Sequence, residues 1–176
     1  MKSKIHSLAI ALCALFMLSG CAKKSRFDEA AVVAVCNLVS QAEAERILGR
    51  LIEQPKPQQA SAVAGDCTWS FKSTSGSNRA TLYAMLMTHG SSGKFQDLDR
   101  WFALSLEEAK VSLGAQPAEV KDLGDRAFLF QTPQPDHSEI WMKQGQTYAV
   151  LRITGASASQ LDRFARVLAS ELEPKK

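Results

Sequence analysis

Residues 79–89, RATLYAMLMTH, limit the possible folds more than any other stretch of the chain. Successive side chains of a β-strand point to opposite faces. Apolar residues here occupy both faces, so the segment reads as a strand buried on both sides, hence a central one. A central strand needs partners on each edge, and the rest of the chain supplies them. Residues 66–73, DCTWSFKS, are rich in the Thr, Trp and Phe of strands. AEVKDLGDRAFLFQ (118–131) reads as strand, Gly-Asp turn, strand, and SEIWMKQGQTYAVLRITG (138–155) reads as a hairpin on Gln144-Gly145. A short strand is also expected over 50–54.

Three segments carry helical spacing instead. Ser40-Gln41-Ala42-Glu43 has the form of a capping box, in which the Ser hydroxyl and the Glu carboxylate each satisfy a free backbone N–H. Ala44, Ile47, Leu48 and Leu51 then share one face, so a helix runs from Gln41 to Leu48. Phe95, Leu98, Phe102, Leu106, Ala109 and Leu113 form a second stripe, predicting a helix over Gln96–Leu113 that Gly114 ends. Leu161, Phe164, Leu168 and Leu172 mark a last helix, with Ser159 expected as its cap. Residues 55–65, 90–94 and 132–137, rich in Pro, Gly and Ser, read as loops and turns. Together these predict an α+β domain: an antiparallel sheet of about six strands with three helices packed on it.

The first twenty residues stand apart. Lys2, Lys4 and His6 give a positive start, and Leu8 to Leu18 is an apolar run too short to span a bilayer, which needs roughly twenty residues. Ser19 and Gly20 are the small residues of a cleavage site, so residues 1–20 are expected to be a secretory signal peptide. Leu18-Ser19-Gly20-Cys21 resembles the lipobox of bacterial lipoproteins. That resemblance implies that Cys21 becomes the N-terminus and carries a diacylglycerol and, on its amine, a further acyl chain such as palmitate. Two or more chains give stable membrane anchoring. Ala22, rather than Asp, implies by the same resemblance the outer membrane, facing the periplasm. Residues 21–34 are then the lipidated cysteine and a tether, and 35–176 a single domain.

Removing twenty residues from 176 leaves 156, enough for one domain with a real core. Lys2 and Lys4 go with the leader, so 21 basic residues become 19 against 18 acidic ones. The mature chain is nearly neutral and lacks the clustered Lys and Arg of a nucleic-acid footprint. Of four cysteines, Cys13 leaves with the leader and Cys21 is lipidated. Cys36 and Cys67 remain, and in an oxidising compartment they are expected to form one disulfide. Trp69, two residues on, is expected to pack against it.

CNLVSQAEAERILGRLIE, CTWSF, VKDLGDRAFLF, the Trp141 strand before YAVLRI and the terminal amphipathic helix together resemble a group of secreted bacterial lipoproteins of the PsbP-like α/β/α class, similar also to extracellular sensor domains of bacterial kinases. The resemblance covers most of the mature chain in short pieces. It brings no catalytic residues and implies ligand or partner binding in the envelope.

The sharpest constellation of side chains is Met85-x-Met87-x-His89, whose alternate spacing puts two thioethers and an imidazole on one strand face. Such a set suits a soft ion such as Cu(I), with Trp101, Trp141, Met142 and His137 as possible neighbours. Packing explains the same pattern if both methionines are core and His89 closes the strand. Gly90-Ser91-Ser92-Gly93-Lys94 lacks the spacing of a phosphate loop. Asp97, Asp99, Glu107 and Glu108 read as the solvated side of the second helix, and Asp125-Arg126 as turn residues. Leu104 and Val111 lie off the apolar stripe, either as a strip for a partner or beneath a loop. Without a Gly-x-Ser-x-Gly motif, and with two histidines after processing, the chain is expected not to be an enzyme and to hold no cofactor. The function expected is non-catalytic binding of a partner protein or small ligand, with periplasmic copper binding as the alternative.

Overall fold

The computed structural model describes residues 35–57, 65–73, 79–88, 97–132, 136–145 and 147–173. After a helical turn at 35–38, the elements run α1 (Gln41–Leu48), β1 (Gly65–Phe71), β2 (Ala80–Thr88), α2 (Leu98–Leu113), β3 (Ala118–Glu119), β4 (Arg126–Gln131), β5 (His137–Gln144), β6 (Thr147–Thr154) and α3 (Ala158–Leu172). The six strands form one sheet in the order β1-β2-β6-β5-β4-β3, and every neighbouring pair is antiparallel. The α+β reading therefore holds, and β2 is interior as its two apolar faces require. Its partner on the far edge is β6, the last strand of the chain, in register from Thr81↔Thr154 to Thr88↔Thr147.

Each face of the sheet has its own core. On the first, Cys67, Trp69, Phe71, Leu82, Ala84, Ile140, Met142, Leu151 and Ile153 meet Ala44, Ile47 and Leu48 of α1 and Leu161, Phe164 and Leu168 of α3. Trp69 packs edge-on to Phe164 at 4.9 Å between ring centres. On the second face, Leu98, Phe102, Leu106 and Ala109 of α2 cover Phe130, Trp141, Tyr148 and Val150. The Cys36–Cys67 disulfide is formed, with Cα atoms 5.1 Å apart, and ties the first helical turn to β1.

Three local expectations need correction. The strand over 50–54 reduces to isolated bridges from Leu51 to Phe71 and from Lys56 to Thr68. Pro55 and Pro57 have no N–H to continue that ladder. Ser157, not Ser159, caps α3: it sits in extended backbone, and Gln160 at the third helical position completes a capping box. In α1 only half of the expected box forms. Ser40 accepts from the Glu43 amide at 3.2 Å, while the Glu43 carboxylate turns to Arg46. Helix α2 starts at Leu98, capped by Asp97; Phe95 and Gln96 lie outside the described residues.

The Leu-Gly-Asp turn is set by one close approach. Gly124 has φ +61°, and a Cβ there would sit 2.4 Å from the Lys143 carbonyl. Asp125 then accepts from the Gly145 amide at 2.7 Å, joining this turn to the β5–β6 hairpin.

Candidate functional site

The second sheet face is divided. One part lies under α2 and is apolar, as just described. Helix α2 is fastened to it by Asp99, whose carboxylate accepts from Lys143 Nζ at 2.7 Å and from the Tyr148 hydroxyl. The ion-paired hydrogen bond to Asp99 raises the Lys143 pKa, and burial, followed by the Asp99 hydrogen bond, raises that of Tyr148.

The rest of that face is polar. The register sets Thr68, Tyr83, Arg152 and Glu139 in one row across β1, β2, β6 and β5, with Ser70, Thr81, Thr154 and His137 in the next. Glu139 is the hub. It is 1% exposed, and a carboxylate so far from water needs compensating partners. It has three: Arg152 Nε, the Trp141 indole N–H at 3.1 Å and His137 Nε2 at 3.4 Å. The other ring nitrogen of His137 meets the Thr154 hydroxyl at 3.1 Å.

A second buried carboxylate, Asp66, lies three strands away on β1. Its Oδ2 accepts from the Tyr83 hydroxyl at 3.2 Å, whereas its Oδ1 is buried with no hydrogen-bond partner. Burial, and then the neighbouring Asp66 charge, push the Tyr83 pKa up to about 12, against a smaller opposing effect of Arg152. At the sheet edge, Arg79 Nη2 bonds Ser70 Oγ at 2.8 Å and the Glu53 carboxylate, extending the polar surface.

The arrangement offers donors and acceptors held in fixed positions. Both His137 nitrogens are engaged, and Tyr83 is held protonated. Among the described residues no three His, Cys, Asp or Glu side chains stand close enough to hold a metal ion. A separate shallow depression of about 230 Å³ beside Cys36, Ser40 and Gln54 is lined by no charged side chain.

Residues singled out from sequence fall as follows. Cys21 and His89 lie outside the described residues. Met85 and Met87 share a strand face as expected; Met85 packs with the α2 cluster and Met87 is 4% exposed. Trp101 stacks on Trp141 at 6.4 Å, whereas Met142 faces the opposite core. Asp97 caps α2 and Glu107 pairs with Lys110. Asp99, expected only as a solvated residue, fastens the helix to the sheet. Leu104 and Val111 are exposed, at 61% and 84%. The sequence reading missed Asp66, Tyr83, Glu139 and Arg152. Their one signal is placement: Glu139 in SEIWM and Arg152 in AVLRITG are charges inside apolar strands.

Comparison with protein-family models, curated proteins and solved structures finds no match for the chain.

Proposed function

We propose that the chain is a non-catalytic, lipid-anchored protein of the cell envelope that binds a small ligand or partner through the polar half of its sheet. The observation that carries the binding reading is the buried Glu139 hub. Trp141 and His137 fix the Glu139 carboxylate, which in turn holds Arg152 through its Nε on a face that no helix of the apolar cluster occupies. Preorganised polar groups on rigid strands favour recognition, because little side-chain freedom is lost on binding. Tyr83, held protonated by burial and by the neighbouring Asp66 charge, is a fixed hydrogen-bond donor rather than a base. The anchor reading rests on Leu18–Cys21 and agrees with the formed Cys36–Cys67 bridge, which suits an oxidising compartment.

The test is metabolic labelling with an alkynyl palmitate, followed by membrane fractionation. The wild type is expected to label and to sediment with outer membranes, and Cys21→Ala to do neither. Unlabelled wild-type protein would refute the anchor. A copper role remains tied to Met85 and Met87 sharing one face. Its test is Cu(I) titration against a competing chelator, in which Met85→Leu with Met87→Leu must abolish binding if the role is real.

A further inference from the structure

We infer, resting on the binding reading above, that the polar half-face takes an uncharged, hydroxyl-rich ligand: a saccharide. Three observations carry this. First, Asp66 is 6% exposed and its Oδ1 has no partner, so the face holds a buried acceptor awaiting a donor. Second, the Arg152 side chain is 47% exposed and Glu139 holds its Nε. Its terminal nitrogens have no acceptor among the described residues, and a guanidinium so fixed presents a rigid pair of donors. Third, the charges count against an anion. Lys56 and Arg79 are paired with Glu53 and Arg152 with Glu139, so with Asp66 the surface has three acids against three bases: it offers a phosphate or carboxylate no net positive charge, and Asp66 would repel it.

The hydroxyls of one saccharide answer both requirements, one donating to Asp66 and another, two strands along, accepting from Arg152. The hydroxyls of Thr81, half-buried, and Thr154, exposed, border the same face and add contacts of the same kind. Free sugars and wall polysaccharides share this chemistry.

The experiment uses the protein purified from membranes in a zwitterionic detergent, because sugar-headed detergents would compete. It is applied to an array of neutral mono- and oligosaccharides, amino-sugar wall polymers, and phosphorylated and carboxylated glycans, with calorimetry on the best probe. Saturable binding to an uncharged member is expected, and which arm responds separates free sugar from wall polymer. Asp66→Ala and Arg152→Gln are expected to weaken it at least tenfold, while Glu108→Ala, on the exposed side of α2, leaves it unchanged. Should either variant fail to fold, the exposed, isosteric Thr154→Val carries the test, with a several-fold loss expected. Silence across the array, binding confined to anionic glycans, or affinity that the folded variants leave unchanged overturns the inference. Palmitate labelling of the same preparation keeps the two readings apart. A labelled but silent protein refutes the saccharide alone, and an unlabelled protein that binds refutes the anchor alone.

Discussion

Removing the Cys36–Cys67 bridge is expected to destabilise the domain by several kcal/mol. The two cysteines are 31 residues apart. In the chain-entropy account, closing a loop of that length removes about 12 cal/mol/K from the unfolded chain, or ~3.7 kcal/mol at room temperature. Domains of this size have a total stability of roughly 5–15 kcal/mol, so the bridge supplies a quarter to over half of it. Cys67 is fully buried beside Trp69 in the first core, so replacing both cysteines by Ala also leaves a small void and cannot offset the entropic loss. The assay is urea unfolding of wild type against Cys36→Ala/Cys67→Ala, read by tryptophan fluorescence. The midpoint should fall by the equivalent of ~3–4 kcal/mol, and the slope should rise because the uncrosslinked chain exposes more surface. A loss below about 1 kcal/mol would refute the reasoning, since it would mean that the unfolded chain already holds residues 36 and 67 together.

Other consequences are as direct. Glu139→Gln keeps the size of the hub but removes its charge, and should cost about 2 kcal/mol in urea unfolding, because hydrogen bonds to a charged group are the strong ones. Both tyrosines have raised pKa values, Tyr83 to about 12 from 10, so in ultraviolet titration of the folded protein phenolate should form above the pH of a free tyrosine, with Tyr83 titrating near 12. A raised tyrosine pKa favours the neutral folded form. That contribution is fully present below pH 10 and is lost as pH rises through about 12, so alkaline unfolding should release phenolate abruptly. Gly124→Ala should lower stability by ~2–3 kcal/mol through the contact with the Lys143 carbonyl and its positive φ. Gly145→Ala, also at positive φ but with open space around its Cβ, should cost only about 1 kcal/mol, both variants being read by urea unfolding.

The elements were legible where a local pattern decides them. Apolar residues on both faces of 79–89 made β2 interior, and the stripe from Leu98 to Leu113 made α2 a helix packed on one side. The order of the strands was not legible, because nothing local to β2 tells it to pair with β6 rather than with a nearer segment. The polar site shares that fate. Asp66, Tyr83, Glu139 and Arg152 come from four strands, and only the register places them in neighbouring positions. Read singly, each looks like an ordinary polar residue on a strand. Two serines lie within reach of the start of α3, and Gln160 at the right distance from Ser157 makes Ser157 rather than Ser159 the cap.

The measurement that bears most directly on the account is the intact mass of the protein extracted from membranes, taken without reductant. The account predicts a chain beginning at Cys21, heavier by a diacylglycerol and an amine-linked acyl chain, and lighter by two hydrogens for the Cys36–Cys67 bond. A chain still beginning at Met1, or one cut elsewhere with a free thiol at Cys21, would contradict it.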